Sequence, residues 1–422
     1  MPLTTAPPLP VHEAQRKILD RVRPLAPERV PLTAALGRVT AEDVHAALEL
    51  PPWDNSAMDG YAVRAAETAP GVEVEVALDL PAGSASGQHL PPGAAARIMT
   101  GAPLPVGADA VVPVEETAGP SGEGRFAEPG ERVRFEVRPE VGDHVRRRGE
   151  DVRKGEVVLR VGDVLGPARI ALAATAGCPV LPVVRRPRVA IVSTGDELVD
   201  LDRAGAPDRI VNGNAYGLAA QVTEAGGVPR VLPIAPDEPG AIRAAVRSAL
   251  EDDVVVTIGG VSVGAKDLVR EALDDAGVEL VFWGAAIRPG GPVAFGISGD
   301  GRPVFGLPGN PVSAHVTFEL FARPALLAMG GRRRAFRRPL RATLAAPVST
   351  RPEKATYLRV RLEPDGNGWR AIPTGAQGSA ILSGLASADG LAVVPVGVSD
   401  LPAGAELDVL PLDGRTLEGE DP

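Results

Sequence analysis

One cysteine, Cys178, stands in this chain of 422 residues, so neither an intrachain disulfide nor a multi-cysteine zinc site can form. The five histidines (His12, His45, His89, His144, His315) lie far apart, with no pair at ligand spacing on one helix, which argues against a histidine-rich metal site. Aromatic residues make up only 3%. No stretch approaches the roughly 18 consecutive apolar residues of a membrane span. Residues 1–10 show no basic flank followed by an apolar core. The expectation is a soluble, cytoplasmic protein with no membrane partner. Positive charge is also short: the net charge is −10 and the pI about 5.2. Neutralising nucleic-acid phosphates without regard to sequence needs a basic surface, so that class of partner is excluded. A small anion held in a local pocket is not.

What the chain does have is length and turn residues. At 422 residues it is too long for one ordinary core, and roughly three or four domains are expected. Glycine (49) and proline (43) are abundant and 44% of residues are apolar, so the cores must rest on Val, Leu, Ile and Ala. Residues 11–22 carry apolar positions at helical spacing, ended by Pro24 and Pro27. Residues 32–42 read as a second short helix with Thr33 as N-cap. From 51 to about 144, Val-rich runs at 72–77, 110–114 and 133–137 alternate with Gly/Pro turns, the pattern of a small β domain. Its flanks, 1–50 and 145–183, form a discontinuous helix-strand domain that includes a helix at 167–176. Residues 184–330 alternate strand and helix at the pitch of a mainly parallel sheet covered on both faces, ending in a helix at 311–329. Residues 331–422 read as a second small β domain. The fold class is therefore multidomain, α/β plus β.

In a parallel sheet, ligands bind beyond the carboxyl ends of the strands, and three loops of the α/β region fall there. Residues 258–264 (Ile-Gly-Gly-Val-Ser-Val-Gly) follow a β-branched strand. Glycines allow a ligand close to the backbone, and the amides at the helix start suit phosphate. An ordinary tight turn reads equally well. It is neither a Walker loop nor a dinucleotide fingerprint. Residues 193–198 (Ser-Thr-Gly-Asp-Glu-Leu) offer hydroxyls and carboxylates. Capping by Thr194 or Asp196 would leave Glu197 as the better ligand. With Asp237 and Asp267 at the same edge, these oxygens resemble a magnesium site, although Asp267 also suits a helix first turn. Residues 51–61 concentrate Trp53, Met58 and Tyr61 beside Asp54, Asn55, Ser56 and Asp59; the aromatics are read as anchors and the carboxylates as functional. The run 146–151 (Arg-Arg-Arg-Gly-Glu-Asp) reads chiefly as a self-paired charge cluster.

Together these segments resemble the molybdopterin molybdenumtransferase family, the bacterial MoeA type related to the gephyrin E domain. The resemblance rests on residues 54–62 (Asp-Asn-Ser-Ala-Met-Asp-Gly-Tyr-Ala) and 98–103 (Ile-Met-Thr-Gly-Ala-Pro). Segments 146–151, 193–198, 259–264, 306–311 (Gly-Leu-Pro-Gly-Asn-Pro) and 375–379 (Gly-Ala-Gln-Gly-Ser) follow in the family's order. It implies an elongated homodimer whose central α/β domain is MoaB/Mog-like. It implies an enzyme that takes adenylylated molybdopterin and molybdate, releases AMP and leaves molybdenum on the pterin dithiolene, with Mg2+ as cofactor.

By that resemblance, Asp59, Asp151, Glu197, Asp237 and Asp267 are the catalytic acids, the last three also handling the cation. Thr100, Ser193, Thr194, Gly259, Gly260, Ser262, Gly264, Arg288, Pro308, Asn310, Arg359 and Ser379 bind substrate, with Arg359 and Ser379 in the molybdate pocket. Segments 51–61 and 258–264 become opposite walls of one cleft, contributed by different subunits. A molybdopterin adenylyltransferase and molybdoenzyme maturation proteins are the implied partners. Two departures stand out. The family often has lysines where this chain has Gly284 and Arg288, and an acid where it has Asn212. Two other readings compete. A molybdopterin adenylyltransferase shares the α/β fold but lacks the β domains, and a non-catalytic carrier or scaffold would resemble gephyrin's anchoring role.

Overall fold

The computed structural model describes residues 7–260, 268–366 and 368–412. The chain divides into two compact units, one of residues 29–36 and 42–182, the other of 1–28, 37–41 and 183–422.

In the first unit, a seven-stranded sheet runs in the order Ala110–Pro113, Gly60–Val63, Ala94–Ile98, Glu73–Leu80, Arg132–Phe135, Thr117–Gly119, Gly122–Glu123. Strand Gly60–Val63 is buried along its whole length. Side chains alternate across a strand, so Tyr61 and Val63 enter one apolar cluster with Val76 and Phe135, while Ala62 enters another with Leu80 and Ile98. Gly60 has no alternative: a Cβ there would lie 2.1 Å from the Val112 carbonyl oxygen on the paired strand. The same unit holds the antiparallel pair Val44–His45 and Val157–Leu159 and the helix Pro167–Thr175.

The second unit is built on a six-stranded sheet ordered Val228–Val231, Arg188–Ser193, Val254–Ile258, Pro303–Leu307, Ala294–Ile297, Glu279–Trp283. The first four strands are parallel; the last two join antiparallel. Both faces are covered, as the Val-rich strands require. Val189 and Ile191 point into one core with Leu218 and Phe305, Ala190 and Val192 into the other with Ile242 and Leu273. After the sheet, a barrel closes because strand Ala355–Asp365 pairs with both Gly368–Pro373 and Gly390–Val394, the ring being completed by Leu340–Leu344 and Glu406–Pro411. A two-residue strand, Ile287–Arg288, pairs in parallel with Ala355 and Thr356 of that barrel.

Three expectations need correction. The helix expected at 32–42 is only a 3-10 turn, Leu32–Ala34, with Thr33 inside it and no side-chain cap. Gly37 at φ +74 turns the chain, and Thr40 then bridges Val183 as extended backbone. Helix Val11–Leu19 buries Ala14 and Ile18 with Leu320 and Phe321 in the second unit, not with the 145–183 stretch. The helix at 311–329 is interrupted by a π turn, Phe318–Ala322, between Pro311–Thr317 and Arg323–Met329. Pro324 has no N–H to donate and crowds the carbonyl a turn earlier, which a wider turn relieves.

Candidate functional site

Parallel pairing brings the ends of three strands to one edge of the α/β sheet: Ser193 lies opposite Ile258, and Ile258 opposite Leu307. The loops that follow are stitched together by main-chain bonds. Gly259 N donates to Leu307 O at 3.0 Å, and Ala235 N donates to Ser193 O at 2.9 Å. Asp196 accepts the Asp237 amide at 3.0 Å, a loop-to-loop bond and not a helix cap, and the Glu197 side chain makes no hydrogen bond or ion pair among the described residues. Glu197 folds over Gly195, whose φ of +144 and lack of a Cβ make the room. The buried Ser193 hydroxyl is consumed by the buried Asn212 side chain at 3.1 Å. Gly260 is needed for packing, since a Cβ there would meet Val269 at 2.3 Å, and Gly259 sits beside the Thr194 carbonyl. Ser262, Gly264 and Asp267 lie outside the described residues. Among the described residues, no three His, Cys, Asp or Glu side chains group as a metal ion would need.

The 307–311 loop faces two ways. Asn214 Nδ2 donates to Gly309 O at 2.7 Å on the sheet-edge side, where Gly309 also approaches Gly259. On its other side, Pro308 and Asn310 line a cleft of about 670 Å³ together with Arg288, Ser313, Arg351, Lys354 and Ser379. Four of the expected substrate residues thus meet in one cavity. Arg351, Lys354 and Ser313 were not expected there; the nearest signal in the sequence was Gln377, within the quoted 375–379 segment, which also lines the cleft. Among the described residues, Arg288, Arg351 and Lys354 form no ion pair, although Glu353 shares the cleft wall.

Arg359 is not in the cleft wall. Its side chain is fully buried, its Nη2 donates to Ala376 O at 2.8 Å, and its own amide donates to Gln377 Oε1 at 2.9 Å. Burial lowers the guanidinium pKa, and Nε and Nη1 have no partner. Arg359 therefore shapes the 375–379 loop from behind.

In the other unit, segments 51–61, 98–103 and 145–151 come together. Gly101 N donates to Ser56 O, Ala57 N to His144 O and Asp151 N to Leu50 O. Asp59 Oδ1 accepts both the amide and the hydroxyl of Thr100, each at 2.7 Å, which holds its carboxyl below the usual range. No protein group among the described residues bonds Oδ2. Asp54 is the opposite case: Oδ1 accepts the Arg148 amide and Oδ2 the Arg147 guanidinium, while Arg148 also pairs with Glu49. Burial alone would raise the Asp54 pKa, but these partners outweigh it and hold it low. The self-paired reading of 146–151 needs correction: the Arg147 and Arg148 side chains pair outside the run, with Asp54 and Glu49, and Glu150 accepts only the Arg147 backbone amide. The anchoring reading of the aromatics holds for Tyr61 alone. Tyr61 is fully buried and its hydroxyl accepts the Ala127 amide, whereas Trp53 and Met58 are exposed.

Three family models match along the chain: MoeA N-terminal region (domain I and II) over 9–177, a probable molybdopterin binding domain over 190–328, and MoeA C-terminal region (domain IV) over 341–412. Molybdopterin molybdenumtransferase 2 of Mycobacterium tuberculosis is 41% identical over 412 residues, covering 94% of this chain and 98% of the relative. The chain belongs to the molybdopterin molybdenumtransferase family. The Bacillus subtilis molybdopterin molybdenumtransferase is 35% identical, covering 96% of this chain and 94% of its own. Two crystal structures of a molybdopterin biosynthesis MoeA protein from Pyrococcus horikoshii align with TM-scores of 0.81 and 0.77, at 32% and 30% identity. They cover 97% and 96% of this chain and 100% and 99% of theirs.

Both departures from the molybdenumtransferase pattern have local reasons. Gly284 adopts φ +94, a conformation in which a lysine would be strained. Asn212 is 3% exposed, and a carboxylate there would be buried with only a hydroxyl to pair with, at a cost in desolvation.

Proposed function

We propose that this transferase inserts molybdate into adenylylated molybdopterin with release of AMP, in molybdenum cofactor biosynthesis. The observation that carries the reading is the 670 Å³ cleft. Its cations, which form no ion pair among the described residues, offer with Ser313, Ser379 and Asn310 as hydrogen-bond donors what a dianionic oxyanion needs. The 307–311 loop joins that cleft to the sheet edge, where the backbone of 193–195 and 259–260 suits the phosphate-bearing pterin. Carboxylates cannot take an anion without a cation between them. Asp59, Asp151, Glu197, Asp237 and Asp267 are therefore assigned to the adenylate-cleaving half of the reaction, and Thr100 to substrate. Arg359 serves by holding the 375–379 loop.

The proposal includes the homodimer that the family implies, measurable by sedimentation, and a requirement for Mg2+, measurable by chelation and replacement. It also includes a cytoplasmic location and hand-over to molybdoenzyme maturation proteins. No helix among the described residues is long and apolar enough to cross a membrane. The deciding assay supplies purified protein, adenylylated molybdopterin, Mg2+ and molybdate. AMP release that depends on molybdate is the expected result. Tight pterin binding without AMP release would instead establish a carrier, and pterin adenylylation from ATP an adenylyltransferase.

A further inference from the structure

We propose that Lys354 is the second cationic anchor for the oxyanion in the cleft, beside Arg288, in place of a cation borne by segment 284–291. The inference rests on the proposed molybdate reading of that cleft and names a binding residue within it.

Three observations converge on Lys354. The first is register. Strand Ile287–Arg288 pairs in parallel with Ala355 and Thr356, and Ala355 N donates to Ala286 O at 2.9 Å. Extending that register by one residue places Lys354 level with Ala286. Side chains two apart share a face of a strand, so Lys354 emerges on the same side as Arg288. Ile287, between them, is buried on the other side.

The second is space. Gly291 has no side chain, and a Cβ built there would stand 3.3 Å from Lys354 Nζ and 3.4 Å from the Ile287 carbonyl oxygen. The ammonium therefore rests over bare backbone, at the point where a side chain of segment 284–291 would otherwise enter the cleft. Gly290 cannot supply one either, because its φ is +98 and a Cβ would strike Thr317 at 2.3 Å. Gly284 is excluded by its own backbone.

The third is charge. Lys354 forms no ion pair among the described residues, and both it and Arg288 line the same cavity. The chain otherwise relies on arginine: Lys17, Lys154, Lys266 and Lys354 are its only lysines among 44 basic residues. A compact ammonium with three rotatable donors can approach one oxygen of a tetrahedral anion while the Arg288 fork takes two others.

Calorimetric titration of the intact protein with sodium molybdate tests this, alongside the molybdate KM of AMP release. Lys354→Ala should weaken molybdate binding at least tenfold and reduce its dependence on salt. The KM for adenylylated molybdopterin should stay within about twofold. Lys354→Arg should retain most of the affinity. In the Lys354→Ala/Gly291→Lys double variant, the vacated space admits the new side chain and affinity should recover. Unchanged molybdate affinity and salt dependence in Lys354→Ala, with wild-type protein binding normally, overturns this inference alone. Absence of molybdate binding in the wild-type protein overturns it together with the reading of the cleft.

Discussion

Two clusters of charge in this molecule have similar residue types and opposite states. In residues 49–54 and 146–151, Asp54 is bonded to both the Arg147 side chain and the Arg148 amide, and Arg148 is paired with Glu49. In the cleft of the other unit, Arg288, Arg351 and Lys354 line one cavity, and no carboxylate among the described residues pairs with any of them. A charge satisfied by its neighbours holds a loop in place. Solvent-exposed cations around a cavity with no ion pair among the described residues are open to a ligand of opposite sign. Asp59 lies between these cases, with one oxygen committed to Thr100 and the other free.

Asp59 offers the largest test of that contrast. Asp59→Ala should lower turnover more than a hundredfold while costing only about 1 kcal/mol of stability through the lost Thr100 bonds. Chemical denaturation and AMP release on the same sample separate the two. Near-normal turnover with a clear loss of stability would move Asp59 to the structural side. Next is Gly60→Ala, which should destabilise its unit by roughly 3 kcal/mol through overpacking against Val112 and leave molybdate affinity of the folded fraction unchanged. Arg288→Ala should weaken molybdate binding about tenfold, one charge-assisted contact, with no shift of the melting temperature. Arg147→Ala should do the reverse and do little: less than about 1 kcal/mol of stability, as exposed pairs contribute, and no change in ligand affinity.

The smallest effect lies in pH. Because the folded Asp54 carboxyl is held below its unfolded value, its contribution is complete above the unfolded pKa of about 3.9 and is lost as pH falls through the folded one. Asp54→Asn should therefore flatten only the acid limb of the stability profile, below about pH 4.

Much of the fold could be read directly. The strand at 188–193 and the helix starting at Pro239 stand where β-branched runs and proline at N1 put them. Local pattern failed where a distant partner decides. Residues 32–42 have helical composition, yet Gly37 and the bridge from Thr40 to Val183 draw the chain out. Strand Gly60–Val63 was missed because it is buried on both faces and shows no alternation. At the site, motif order pointed to Pro308, Asn310 and Ser379, and Arg288 was named where the family often has a lysine. Lys354 is invisible to such reading, since its place depends on the register of a two-residue strand formed 67 residues earlier in the chain. Arg359 was named from the motifs, but sequence carries no sign that its guanidinium bonds the Ala376 carbonyl beneath the 375–379 loop.

That two-residue strand, Ile287–Arg288, has one more effect. It is an edge strand of the barrel's sheet, so Arg288 and the start of strand Ala355–Asp365 stand one strand spacing apart, about 4.8 Å. On that side the gauge of the cleft is set by main-chain geometry. The loops at 289–292 and 377–379 line the rest of that cleft, so under the proposed reading an oxyanion would meet a width fixed on this side by backbone pairing.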